Sequence, residues 1–455
     1  MWWAFGAGVP DFEPLQLGSL NHACQPTKLN FMASIGNDRK LPYYQAPLSS
    51  GAMGQRPTFG LLFVYAIPLF GGILPLLDVQ IGQFSAGGFL WVLLLVIGVY
   101  TVLIEKAFHR KSLFHLPCMP WLVFLSVVWL SLFWGSGMDR RQIQVAAQLS
   151  LPVFIGLMSS MFVTNERQLK FFLRLFMWAM LLSLMCAGLR SLGALASEQP
   201  GLRPQAIKMS LYACVFLAAT PPHLLWAVAG WGVCTAIAVF TGSRLATFTM
   251  LSLPIVHPLY RGQWLIRSII IASTIGVGLW IFYTPAFQAR FFIKGSGTVT
   301  DILEGDFNTA GRLNAWALLW EEVCEHPWIG QGAGSSMVFL QDNEKLTGMK
   351  HPHNDYLRIT FETGAIGFSC FVFALAWQTW SVGRRTTATS GVLRHAYAAA
   401  FLGWCVLVMM SVTDNILIFT IQFMAPLFAI TGAAYGVAYH MQQQEMQAER
   451  STDAF

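Results

Sequence analysis

Long apolar runs separated by short polar segments rich in Gly, Pro and charged residues dominate the chain from about residue 58 onward. A membrane-crossing helix needs about 20 mostly apolar residues. Runs of that order predict spans near 60–80, 86–104, 116–135, 143–163, 170–193, 206–222, 224–241, 245–260 and 265–283. Beyond a more polar stretch, three more are expected near 358–381, 395–412 and 415–438. The pattern therefore predicts an all-α polytopic membrane protein with about twelve transmembrane helices. Residues 1–57 read as an N-terminal tail, 58–283 as the first nine spans, 284–357 as one large loop with surface helices, 358–440 as the last three spans, and 441–455 as a C-terminal tail.

Composition narrows the class further. Of 455 residues, 55% are hydrophobic and 11% charged, whereas a soluble domain carries about 25% charge. That excludes a water-facing globular fold and a disordered chain. The net charge of +6 is scattered over many loops, so it records topology and gives no nucleic-acid footprint. Sixteen of the 28 Lys and Arg residues fall on the N-terminal side of the membrane. By the positive-inside rule both termini are then cytoplasmic and the large loop is external. The spans read as nearly charge-free, with Arg174 and Arg267 close to cytoplasmic ends.

Eight cysteines give no CxxC pair, hence neither a zinc motif nor a disulfide framework. Cys118, Cys186, Cys214, Cys234, Cys370 and Cys405 fall in or beside apolar spans, where Cys behaves as a small hydrophobe. Cys24 lies near the N-terminus and Cys324 in the large loop. Residues 1–57 lack the basic and apolar regions of a signal peptide. They read as a disordered cytoplasmic tail, or as an upstream extension of a chain starting at Met32 or Met53.

Loops this long are uncommon unless they carry function. Within the loop, Trp316, Leu319, Trp320 and Val323 recur at helical spacing over 309–325. Thr309 is the expected N-cap, and His326-Pro327 the stop. A Trp-faced helix of this kind is expected to lie at the membrane surface. Arg312 falls one turn before Trp316 on that face, as a snorkelling anchor or a functional cation. Residues 330–336, GQGAGSS, read as a flexible turn, since no Lys-Ser/Thr follows to make a P-loop. In KHPHNDYLRITFETGAIG, residues 350–367, Pro352 favours an extended chain with His351 and His353 on one side. With Asp355 nearby this pair could hold a metal, but a catalytic site needs three protein ligands, so no metal is expected. An imidazole, with an ordinary pKa near 6.5, serves readily as a general base.

Other polar residues map to the same external face by topology. Arg244 falls at the outer end of the seventh span, and Asp414 in the short turn before the last. Arg190 ends the fifth span and offers a further phosphate contact. Two guanidiniums and an imidazole at a membrane surface suit a lipid-linked diphosphate, because Arg grips phosphate bidentately.

These residues resemble the O-antigen ligase and polymerase superfamily of bacterial envelope glycosyltransferases. The ligase signature is His, then Asn, Ser or Gln, then nine residues, then Gly-x-x-Gly. His353-Asn354 and Gly364-Ala365-Ile366-Gly367 match it in full, and the resemblance covers roughly residues 240–420. It implies a GT-C-like membrane enzyme of the bacterial inner membrane with its site facing the periplasm. The implied reaction is metal-independent, inverting glycosyl transfer without a cofactor. The donor would be a polysaccharide on undecaprenyl diphosphate, and the acceptor a hydroxyl of the lipid A-core, both within membrane lipid. The resemblance implies His353 as general base, Arg244 and Arg312 as the diphosphate clamp, and Asp414 and Asn354 as orienting groups. Only the resemblance separates His353 from His351 as the base. One dominant loop and the full signature favour a ligase over an O-antigen polymerase, and a non-enzymatic lipid or polysaccharide transporter is the other alternative.

Overall fold

The computed structural model describes residues 58–73, 80–81, 84–85, 96–100, 103, 115–135, 140–194, 203–218, 224–258, 264–298, 300–301, 308–309 and 311–452. The tail read over 1–57, with Cys24, Met32 and Met53, lies outside them. Apart from a two-residue antiparallel pair at Gln80–Ile81 and Phe84–Ser85, the described regular structure is helical. Among the described residues, helices with both ends placed include α1 (Phe59–Ile73), α2 (Met119–Leu130), α3 (Arg140–Phe162), α4 (Glu166–Ala194), α5 (Arg203–Leu217), α6 (Leu224–Phe240), α7 (Arg244–Val256), α8 (Trp264–Phe282) and α9 (Pro285–Phe291). They are followed by α10 (Arg312–Glu325), α11 (Ser335–Asp342), α12 (Asp355–Ala388), α13 (Gly391–Met410) and α14 (Ala425–Thr452).

Among the described residues, five helical stretches are long and apolar enough to cross a membrane: Arg141–Phe162, Glu166–Cys186, Asp355–Ala388, Gly391–Met410 and Thr420–Thr452. Six shorter apolar helices stand where other spans were expected. The 13 residues of α7 extend only about 20 Å, at 1.5 Å per residue, against a hydrocarbon core of about 30 Å. Most of the span expected at 86–104 lies outside the described residues. The C-terminal tail expected from 441 is a continuation of α14 to Thr452.

The body is held by close approach of backbones and by aromatic clusters, one of them central. On α3 and α14, Gly156, Ser160, Gly432 and Gly436 let the two helices touch, with the Gly436 face against the Ser160 carbonyl. Small residues four apart suit helix pairing in lipid, where packing replaces the hydrophobic drive. Trp121 of α2 stacks near Phe371 of α12, Trp404 of α13 and Phe428 of α14, with ring centres 6.1, 5.6 and 5.2 Å away. The spans, expected to be nearly charge-free, do hold a buried cation. Lys208 is buried in the second turn of α5 and donates to Ser183 Oγ on α4 at 3.0 Å.

Two expected spans are irregular. Helix α12 is broken at Gly364, whose backbone (φ 64°, ψ −170°) belongs to a region open to glycine alone. The break is filled by the turn that precedes α11. Gln331 and Gly332 N–H donate to the Phe361 and Glu362 carbonyls at 3.0 and 2.8 Å. In return, Ala365 and Ile366 N–H donate to the Pro327 and Trp328 carbonyls at 2.8 and 3.2 Å. A side chain at Gly364 would overlap Trp328 backbone atoms. Gly364→Ala is therefore expected to cost more than the roughly 1–3 kcal/mol of such backbone strain alone. A thermal midpoint in detergent unchanged from wild type would refute this.

The last span, expected from 415, begins at Thr420, and its regular α-helical part only at Ala425. Residues 416–418 form a 3₁₀ turn and 420–424 a π turn. Buried carboxylates take amides there: Asp414 accepts Asn415 N–H at 2.9 Å, and Asp355 accepts Leu417 N–H at 3.0 Å. Side chains that bind the backbone in this way compete with the helix ladder.

Candidate functional site

The segment before α12 departs from the extended form that Pro352 suggested. His353 has φ 50° and is the only non-Gly residue with positive φ among the described residues, a costly conformation for an L side chain. It turns the chain into the helix N-terminus, where Asn354 is the cap and its Oδ1 accepts Leu357 N–H at 3.0 Å. Asn354 thus has a local reason to be present, as a helix cap. The His353 ring sits with Nδ1 3.5 Å from Asp414 Oδ1. Asp414 is buried at 3% side-chain exposure, while His353 keeps 20%. The imidazole therefore has a carboxylate on one side and an accessible edge.

His351 differs in environment. Its ring centre is 6.3 Å from that of His353. Its Nδ1 is buried with no hydrogen-bond partner among the described residues. Burial, and then the His353, Arg358 and Lys350 charges, hold its pKa below the ordinary imidazole value.

Helix α10 begins at Arg312, after Gly311 and not after a Thr309 cap; the Thr309 carbonyl accepts Arg312 N–H at 3.1 Å. It ends at Glu325, before His326-Pro327. The buried face is Ala315, Leu319 and Val323, which pack with Leu340 and Phe361 in a small second core. The protein-facing stripe therefore differs from the Trp316–Leu319–Trp320–Val323 face expected. Trp320 is 57% exposed, and Trp316 uses its indole N–H to donate to the Pro352 carbonyl at 2.7 Å.

Arg244 opens α7, as Arg312 opens α10. Arg244 Nη1 donates to the Asn308 carbonyl at 3.2 Å, and its Cζ lies 5.6 Å from the Phe291 ring centre. Separate contacts tie the segments that carry these residues. Arg244 holds Asn308, four residues before Arg312; Gly311 lies against the Thr347 carbonyl; Trp316 holds Pro352; and His353 meets Asp414. Of the expected site residues, His353 and Asp414 meet directly, while Arg244 contacts the segment four residues before Arg312. Arg190 lies one turn before the end of α4.

The Gly-rich turn is no flexible linker and no phosphate cradle. Its amides at Gln331, Gly332 and Ala333 already donate to Phe361, Glu362 and Ser131. Sequence reading also passed over a buried charged group. Arg358 Nε is 3.0 Å from Glu362 Oε1 and its Nη1 is 4.0 Å from Asp355 Oδ1, with all three side chains at most 2% exposed. The signal was present as acidic residues three before and four after an Arg on one helix. Among the described residues no group of three or more His, Cys, Asp or Glu is placed to hold a metal ion.

Residues 229–372 match the family model described as O-antigen ligase. The match runs from α6 into α12 and includes Arg244, Arg312, His353, Gly364 and Gly367, but not Asp414. No curated protein matches the chain.

Proposed function

On the premise that residues 229–372 carry an O-antigen ligase-family domain, we propose that the protein joins a polysaccharide from undecaprenyl diphosphate to a lipid A-core hydroxyl. The reaction takes place at the periplasmic face of the bacterial inner membrane, within a bundle of about twelve spans. The observation that carries this reading is the His353–Asp414 pair, with Nδ1 toward the carboxylate. An imidazole that presents Nδ1–H to Asp414 carries its basic lone pair on Nε2, the atom that can accept a proton. Nε2 takes the proton of the acceptor hydroxyl as its oxygen attacks the anomeric carbon. The bond from that carbon to the diphosphate oxygen breaks, and the electron pair leaves on the lipid diphosphate, with inversion at carbon. Among the described residues His351 shows no such carboxylate partner at its buried Nδ1, which supports His353 as the base.

Arg244 and Arg312 supply the charge. An Arg at the first position of a helix meets the positive end of the helix dipole, an unfavourable placement worth about 0.3–1 kcal/mol. A diphosphate between them reverses the sign of that interaction and stabilises the leaving group. Beside Arg244, a groove of about 450 Å³ between α7 and α8 is lined by Phe248, Leu251, Ile275, Leu279, Phe282 and Phe291. Its Phe291 ring is the one Arg244 stacks on, so an isoprenoid tail can lie there with its diphosphate at the guanidinium.

Purified protein is expected to transfer lipid-linked polysaccharide to lipid A-core acceptor in detergent, and to do so equally well with EDTA. Loss of activity in EDTA would sink the metal-independent reading. Donor that lengthens without acceptor would make the protein a polymerase, and absence of any covalent product would favour a transporter.

A further inference from the structure

We propose that Asp355 is a positioning residue that holds Asp414 against His353; this rests on the reading of His353 as the base. Asp355 is fully buried at the first position of α12, two residues after His353. Three contacts tie it to the turn that carries Asp414. Its backbone N–H donates to the Ser411 carbonyl at 2.9 Å. Its Oδ2 accepts Leu417 N–H at 3.0 Å and lies 3.5 Å from Ser411 Oγ. Ser411 and Leu417 stand three residues either side of Asp414. One carboxylate thus grips both flanks of the turn, from the same strand of chain that bears the imidazole.

The turn needs such a grip. Between Met410 and Ala425 the α-helical ladder is interrupted; Asp414 N–H still donates to the Met410 carbonyl at 2.9 Å, but the residues after it turn away, and the His353–Asp414 separation of 3.5 Å tolerates little drift before contact is lost. Asp355 is itself held from behind. Its Oδ1 makes no hydrogen bond among the described residues and faces Arg358 Nη1 at 4.0 Å. Arg358 is bound by Glu362 at 3.0 Å, and Glu362 accepts the Ser336 hydroxyl at 2.5 Å at the start of α11. Buried ionised groups are a weak means of raising stability, because desolvation consumes most of the attraction. Their use here is geometric: the train from Ser336 to Asp355 fixes one carboxylate, and through it the turn.

A double-mutant cycle on the full-length protein tests this, reading kcat and KM for donor and acceptor. Asp355→Ala should lower kcat by about 10²-fold, the order of loss for a misplacement of about 1 Å, with both KM values nearly unchanged. Asp355→Asn, which keeps an oxygen for the Leu417 amide, should recover part of that loss. Asp355→Ala placed on Asp414→Ala should add little, because it acts through a partner already gone. Additive losses overturn the proposal, as does a kcat per folded molecule unchanged in both Asp355 variants. If Asp355→Ala does not fold, Asp355→Asn carries the cycle under the same criteria. Full activity in Asp414→Ala would instead overturn the reading of the His353–Asp414 pair, and this inference with it.

Discussion

Replacing His353 with Ala is expected to reduce transfer by about 10²–10⁴-fold, the usual worth of a positioned general base. The same change at His351 should leave most of the activity. The two residues are two positions apart and share a histidine-rich segment, yet their surroundings differ. His353 keeps an accessible edge and an Asp414 carboxylate at Nδ1. His351 is turned inward, and burial together with neighbouring positive charge disfavours its protonated form. Because a lost base limits the chemical step, kcat and kcat/KM should fall together in His353→Ala. Steady-state transfer with both variants decides the matter. Equal losses would point to a structural role for the whole segment, and a larger loss at His351 would exchange the assignments.

Second in size is the effect of the two arginines. Arg244→Ala and Arg312→Ala should each lower transfer by about 10²–10³-fold, as expected when a group that stabilises developing charge is removed. Lys at either position should restore only part of this, since an ammonium offers a point charge where the guanidinium offers a planar fork. Arg244 also stacks at 5.6 Å on Phe291 and holds the Asn308 carbonyl, contacts Lys reproduces poorly. Donor and product analogues that carry a diphosphate should bind more weakly to both variants than to wild type, whereas analogues with an uncharged headgroup should not. Unchanged diphosphate affinity in Arg244→Ala and Arg312→Ala would remove the clamp from the mechanism.

The hydrophobic pattern was a good guide wherever a helix is apolar all round and long. The stretches at 143–163, 170–193 and 395–412 appear as helices α3, α4 and α13 close to their expected bounds. Such helices need only lipid or other apolar helices as surroundings, so local composition suffices. The signature from His353 to Gly367 was legible for a different reason, since its spacing is local to one segment. What the Gly-x-x-Gly accomplishes was not legible. Gly364 breaks α12 so that residues 327–332 can enter and exchange four backbone hydrogen bonds with it, and only the partner segment, some 30 residues away in sequence, supplies a reason for the break.

The amphipathic reading of α10 failed in an instructive way. Trp316, Leu319, Trp320 and Val323 gave the correct period, yet the buried stripe is Ala315, Leu319 and Val323. Periodicity identifies a helix and a sector of its surface. Which edge of that sector is covered depends on the neighbouring helix, and Phe361 and Leu340 chose the small side with Ala315. The buried charges were missed because a sequence window registers Asp355, Arg358 and Glu362 as polar and therefore exposed, while only tertiary packing reveals that each supplies the others' missing solvent.

The sequence by itself determined that the chain is a helical membrane protein, which segments carry its apolar helices, and which motif residues resemble a glycosyltransferase signature. These are properties of composition and of short-range spacing. Tertiary structure alone decided that His353 faces Asp414, that Arg244 holds the Asn308 carbonyl four residues before Arg312, and that Asp355 grips the turn around Asp414. Those facts depend on contacts between residues 60 or more positions apart, and such contacts leave no periodic trace in the chain.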